Sequence, residues 1–227
     1  MKSVFLNNMS WNDVKSYLKQ RKDILLPFGA VEEHGYHLPL STDGDIASAL
    51  AQSLSEKTGV AIAPIIWYGV SNTTRRYPGT IMVRFDSFKE YVKDILFSLK
   101  QSRFTTIYLL SGHLSSSHIV AIQEAARDIK EIKAFFLDFS KLDFLDILET
   151  KPFHACEAET SLMLYLNPQK VDMKKANDEK IIFEDYAVSG LRKTQSGVFG
   201  SPTKATQEKG KLIFNRIIKE FTEVIGR

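Results

Sequence analysis

A chain of 227 residues, 44% of them hydrophobic, can bury one substantial core, and no shift of composition marks a second unit, so residues 1–227 are expected to form a single domain. A formal charge of +3, with Lys and Arg interleaved among Asp and Glu, argues against a nucleic-acid partner. The single cysteine, Cys156, excludes an internal disulfide, and polar residues interrupt the opening MKSVFLNN before an apolar core accumulates, so no secretory leader and a cytoplasmic setting are expected.

Short apolar runs bounded by turn residues alternate with segments of helical period, the pattern of an α/β domain with a mainly parallel sheet. In chain order, the first strand is expected at 23–28. A helix follows Asp43, with Ile46, Ala47, Leu50 and Leu54 on one face. A strand at 60–66 comes next; the longest apolar candidate, 60–70, is far too short for a bilayer and contains Pro64, so no membrane partner is expected. A second helix starts near Asp86 and presents Phe88, Val92, Ile95 and Leu99. A strand at 105–110, a helix from about Ser117 and a strand at 133–138 follow, and helices at 157–166 and 206–225 complete the chain. Right-handed crossovers then put the loops after the strands along one sheet edge, where ligands of open α/β sheets bind.

Two of those loops carry unusual chemistry. GAVEEHGYHLPLSTD, residues 29–43, packs two glutamates, two histidines and an aspartate behind an apolar run. Carboxylates and imidazoles together are ligands for Zn, Mn or Fe, and the mixture suits a pair of ions. A solvated polar loop is the alternative. Glu32 and His34 are two apart, so in an extended segment their side chains point the same way. Asp43 is open to two readings, a metal bridge or a residue of a helix N-terminus. His113, in Ser111-Gly112-His113, is equally a ligand or a turn histidine satisfied by backbone. His154 and Glu159, in HACEAETS at 154–161, lie beside a helix start whose acidic first turn alone could explain them. All five histidines, with His37 and His118 the remaining two, fall in or beside these three segments.

These motifs in this order, with YPGT at 77–80 and SGVFGSPTKATQEKG at 196–210, resemble the creatininase (creatinine amidohydrolase) family over nearly the whole chain. The resemblance implies a three-layer α/β/α sandwich, two divalent metal ions, and a homo-oligomer, usually a homohexamer. By position it implies that Glu32 and His113 hold one ion, His34 the other, and that Asp43 bridges them. Glu159 is expected to complete or support the second site, because Ser115 stands where creatininase proper has a carboxylate ligand. His154 matches the family's acid/base histidine, and Glu33 is a second acid/base candidate or a partner that orients a ligand. His37 is assigned to orienting ligand histidines, and Cys156 to packing.

Tyr77, Gly79 and Ser115 are the substrate-facing candidates, with Arg76 beside them, although a plain turn explains Gly79 nearly as well. Relatives often have histidine where Thr74 stands. Creatininase proper also has tryptophans over its substrate between the second and third motifs, whereas Trp11 and Trp67 here lie outside that interval. The expected activity is hydrolysis of a non-peptide C–N bond in a small cyclic amide or formamide by a water activated between two metals. A deformylase or cofactor-precursor peptidase of the same family is the alternative, and a catalytically silent oligomeric binding protein is the alternative of another class.

Overall fold

Strand β2, Asp23–Phe28, alternates its side chains between two fully buried faces: Ile24, Leu26 and Phe28 point to one, Leu25 to the other. Strand β4, Thr106–Ser111, does the same with Ile107 and Leu109 opposite Tyr108 and Leu110. Both therefore read as continuous apolar runs, the signature of a central parallel strand covered by helices on each side. The computed structural model describes residues 2–180 and 194–226. Among these, β1 (Val4–Phe5), β3 (Ala61–Ile62) and β5 (Lys133–Phe136) complete a parallel sheet in the order β1-β3-β2-β4-β5.

One layer of helices is α2 (Thr42–Thr58), α5 (Glu157–Leu166) and α6 (Gln207–Ile225). Leu50 and Leu54 of α2, Leu162 of α5 and Ile217 and Phe221 of α6 close over Leu25, Tyr108 and Leu110. The other layer is α1 (Trp11–Gln20), α3 (Phe85–Gln101) and α4 (Ser116–Arg127), whose Phe88, Val92, Leu96 and Ile122 cover the opposite face of the sheet, formed by Ile24, Leu26, Phe28 and Leu109. The result is the expected three-layer α/β/α sandwich. No helix among the described residues is long and apolar enough to cross a membrane.

Two details depart from the sequence reading. The strand expected at 60–66 shrinks to Ala61–Ile62, because Pro64 ends regular pairing and Ile66 makes only an isolated bridge to Phe28. Pro27, inside a central strand, is tolerated for the same reason. Its carbonyl faces the β3 side, where it accepts from Ile66, so its missing N–H falls where β3 has already ended. The second departure is α1 with the short β1. Helix α1 carries an apolar stripe, Val14, Tyr17 and Leu18, that packs against the sheet-and-α3 core but is only partly buried, and the capping box between Ser10 and Asp13 marks its start.

A buried ion pair ties α5 to α6. Glu157, wholly buried, accepts from the backbone N–H groups of Glu149 and Thr150, the Thr150 hydroxyl and, at 2.6 Å, Lys209 Nζ. Burial raises its pKa, but Lys209 and the other donors outweigh that and hold it below its ordinary value of 4.5. A depressed carboxyl pKa means that this contribution is complete above the unfolded value and is lost as pH falls through the folded one. Glu157→Gln is expected to destabilise by about 3 kcal/mol, since it leaves Lys209 with only the exposed Glu149, at 2.8 Å, as counter-charge and places an amide donor against buried donors. For a chain of this size that lowers Tm by roughly 6–12 °C, which thermal unfolding followed by circular dichroism checks.

Candidate metal centre

The order β3-β2-β4 makes the carboxyl ends of β2 and β4 neighbours at the point where the chain switches direction across the sheet. Phe28 pairs with Ser111, and the next bond of the ladder runs from Gly112 N–H to the Phe28 carbonyl at 2.9 Å. The loop carrying Glu32 and His34 and the turn carrying His113 thus leave the sheet side by side. Helix α2 starts against the same place, so closely that a Cβ on Gly112 would collide with the Asp43 carbonyl. Glycine at 112 is what lets Asp43 and His113 share one site.

His113 Nδ1 lies 2.9 Å from Glu32 Oε2 and 3.0 Å from Asp43 Oδ2. His34 Nε2 lies 3.1 Å from Asp43 Oδ1 and 4.0 Å from Glu159 Oε1. Two ligand sets result, Glu32 with Asp43 and His113, and His34 with Asp43 and Glu159, and in each the ligand atoms fall within 4.8 Å of one another. Asp43 belongs to both and gives a different oxygen to each. It also sits in the first turn of α2, where the helix-start reading places it. A third set joins Glu32, His34 and His154.

The histidine rings are fixed from behind. His113 Nε2 is 3.0 Å from the Val70 carbonyl and His34 Nδ1 is 3.1 Å from the Glu32 carbonyl. A carbonyl only accepts, so each of these nitrogens carries its proton and donates, and in the neutral ring the opposite nitrogen aims a lone pair at the carboxylates. Such an arrangement is repulsive until a cation stands between the groups. With both rings neutral, the buried Glu32 Oε2, His34 Nε2, Asp43 Oδ2 and Glu159 Oε2 have no hydrogen-bond partner, a state that costs about 1–3 kcal/mol per group. Nitrogen and oxygen donors in this mixture fit a borderline divalent ion, so the residues present suit a metal.

Protons take the cation's place in the bare protein. Burial disfavours charge on His34, but Asp43, Glu159 and Glu32 outweigh it and lift its pKa to about 10. His113, equally buried, is raised well above its ordinary value by Glu32 and Asp43. The two histidines in turn hold the Asp43 carboxyl well below the usual carboxylate range in spite of its burial. Glu159 goes the other way: burial raises it, and His34 and His154 only partly offset this.

His154 lines the cavity beside these sets, its ring 4.5 Å from that of His34. Its Nε2 is 2.9 Å from the Glu33 carbonyl and 3.2 Å from Glu33 Oε1. Both partners of that pair are positioned by the late glycine motif. Phe199 exchanges backbone hydrogen bonds with His154, and the Glu33 carboxylate occupies the space where a side chain on Gly197 would be. SGVFGS was visible in the sequence, but its role as a clamp on two distant residues was not.

The remaining candidates fall in different places. Ser115 lines the cavity at the start of α4, with its hydroxyl 3.2 Å from that of Ser117. Tyr77 is not among the cavity-lining residues; its hydroxyl donates to the Thr194 carbonyl at 2.5 Å. Gly79 stands in a turn at φ 90° against the Leu40 side chain, also off the cavity, which favours the plain-turn alternative. His37 bonds Thr160 on α5 at 2.9 Å, so the ligand histidines are oriented by carbonyls and not by it. Cys156 is buried at the start of α5, its thiol pushed up to about 12 by burial and by Glu159.

Three contributors escaped sequence reasoning. Thr74 donates to Glu32 Oε1, leaving Oε2 free for the site. Val70 supplies the carbonyl behind His113. His118 packs edge-on to His113 with its own Nδ1 accepting from Val70 N–H, so it stays neutral, its pKa far below normal through burial and the His113 charge. None has a local motif, because each acts through a contact across more than 40 residues of sequence.

Comparison with known proteins matches the chain to a family. The chain is 26% identical to the creatinine amidohydrolase of Pseudomonas putida, over 99% of its own length and 96% of that protein. It is 26% identical to the mycofactocin precursor peptide peptidase of Mycolicibacterium smegmatis, over 90% and 84% respectively. A creatininase crystal structure superposes with a TM-score of 0.89 at 25% identity, covering 100% of this chain and 98% of that one. Two further creatininase structures, with TM-scores of 0.87 and 0.86 at 25% identity over 99% of this chain and 98% of theirs, are described as a Zn-Zn type and as a Mn form. The family model for creatininase, creatinine amidohydrolase, matches residues 7–225. With its carboxylates and histidines gathered at the switch point of the same fold, the chain belongs to the creatininase family of hydrolases.

Proposed function

We propose that residues 1–227 form a metal-dependent amidohydrolase that holds two divalent ions, Zn, Mn or Fe, and cleaves a non-peptide C–N bond in a small cyclic amide or formamide. The observation that carries this reading is Asp43, whose two oxygens serve two separate ligand sets. Glu32 and His113 are assigned to one ion, His34 and Glu159 to the other, and Asp43 to both. Glu159 supplies the carboxylate that Ser115 does not, so the second set is complete without it. Ions so held supply Lewis acidity toward an amide carbonyl and bring a coordinated water toward a neutral pKa.

In the reaction, the oxygen of water joins the carbonyl carbon, the C–N bond breaks, and the nitrogen departs with a proton. His154 is the group assigned to deliver that proton, because it lines the cavity beside both sets and bonds nothing but Glu33 through Nε2. Glu33 holds the ring and compensates the positive charge while the proton is in transit. Thr74 positions Glu32. The names of both relatives, an amidohydrolase and a peptidase, describe amide hydrolysis and support the reaction class.

The test is elemental analysis of the purified chain, then assay of the Zn- and Mn-loaded protein against cyclic amides, formamides and small peptides. Two ions per chain, and turnover abolished by a chelator and restored by metal, are the expected results. A protein that neither contains nor binds metal ends the proposal. Uptake is also expected to release protons, since neutral pH lies below the His34 value of about 10 and each ion must displace a proton from a histidine. Apparent affinity should therefore rise with pH across the neutral range. Calorimetry in buffers of different ionisation enthalpy measures the protons directly, and metal binding with no proton release contradicts the assignment.

A further inference from the structure

The cavity beside the metal ligands encloses about 570 Å3, within the roughly 300–1,000 Å3 of sites for drug-sized ligands. Its lining is divided. Every charged or titratable acid and base in it, Glu32, His113, His154 and Glu159, belongs to the candidate metal centre, apart from the inert thiol of Cys156. Apart from Thr74, whose hydroxyl is committed to Glu32, the buried remainder is apolar: Phe144, Ala158, Leu162 and Ile213, with Phe139 and the half-buried Leu114. The other hydroxyls of the lining, on Thr73, Ser115, Ser116, Ser117 and Ser140, belong to exposed or half-buried residues. These come from the start of α4, the segment after β5, α5 and α6, so the cavity reaches from the metal ligands into the core layer between helices and sheet. No lysine or arginine lines it among the described residues.

A bare cyclic amide would leave the buried apolar part filled with water, and a substrate carrying phosphate or carboxylate among Phe144, Leu162 and Ile213 would bury a charge with no lysine or arginine to pair it. We infer that the substrate carries an uncharged apolar group, aromatic or branched aliphatic, close to the scissile carbonyl, and that this group occupies the Leu114–Phe144–Ile213 end of the cavity. This deepens the proposed function and rests on its placing the scissile bond at the metal ligands. Binding energy from the apolar group holds the carbonyl against the centre, so selectivity among amides follows the size of that group.

The test uses the full chain, metal-free and zinc-loaded, with hydantoins bearing hydrogen, methyl, isobutyl, benzyl or carboxymethyl at carbon 5, and with N-formylamines of the same substituents. Binding is measured by calorimetry and turnover separately. Dissociation constants are expected to fall along the neutral series, by about fourfold from hydrogen to methyl and about 30-fold from hydrogen to benzyl. Ala158→Leu, which narrows the apolar end, should cut the benzyl advantage to a few fold, while Phe144→Ala should shift the preference to bulkier groups. Flat or undetectable binding along the series, or tightest binding of the carboxymethyl compounds, overturns the inference, and the unsubstituted chain decides the matter if either variant fails to fold. Binding that climbs along the series without any metal-dependent hydrolysis overturns the amidohydrolase reading and leaves the pocket assignment standing.

Discussion

Asp43→Ala is expected to empty both metal positions at once, taking occupancy from two ions per chain to none and turnover to background. The reason is geometric: Oδ1 faces His34 and Oδ2 faces His113, so a single substitution removes a ligand from each set. His34→Ala provides the contrast. It takes a nitrogen from the set containing Glu159 and leaves Glu32, Asp43 and His113 together, so about one ion per chain should remain. Elemental analysis of both variants after metal loading and desalting makes the comparison, with circular dichroism to establish that each is folded. Metal added to the native chain should also raise Tm through binding to the folded state, and this rise should vanish in Asp43→Ala. Two ions retained by that variant would falsify the bridging role.

The second large effect is expected at His154. His154→Ala should keep both ions, because the sets built on Asp43 do not require it, and should lose about a hundredfold or more in kcat, the scale of acid/base assistance. Glu33→Gln should lose less, since the Glu33 backbone carbonyl still receives the His154 Nε2 proton at 2.9 Å while the carboxylate at 3.2 Å is gone. The pH profile separates proton transfer from packing: the limb reporting the acid should disappear in His154→Ala and shift to lower pH in Glu33→Gln, because a carboxylate next to an imidazolium raises its pKa. An unchanged kcat in His154→Ala removes the residue from the mechanism. If His154 were instead a ligand in its own right, as its position near Glu32 and His34 allows chemically, its loss would lower metal content, and the elemental analysis would report that.

Much of the fold was legible because it follows from local pattern. The continuous apolar runs of β2 and β4, the helical period after Asp43 and Asp86, and the acidic start of α5 each state their own structure within ten to twenty residues. Helix α1 falls outside the sequence reading, although Val14, Tyr17 and Leu18 recur at helical spacing and Ser10 with Asp13 caps it, because its ten residues hold few large apolar side chains and none is fully buried. The strand at 60–66 was overextended because hydrophobicity continues past Pro64 although pairing does not. In the site, Glu32, His34, Asp43 and His113 could be picked out by type and by their position after strands. Tyr77 and Gly79 could not be placed by the same means, because a turn that approaches a cavity and one that packs on Leu40 look alike in sequence.

By itself the sequence determined which ligand chemistry was available and which strand ends would carry it, since residue type and periodicity are properties of short segments. Only the tertiary structure decided that Asp43 divides its oxygens between two histidines, that carbonyls of Glu32 and Val70 orient those rings, that Thr74 holds Glu32, and that apolar residues of four separate segments line one cavity with them. Those outcomes depend on sheet order and on backbone approach at Gly112, where contacts span tens of residues. A pairing between remote segments has no signature in either one alone, because the energy that selects it is shared between them.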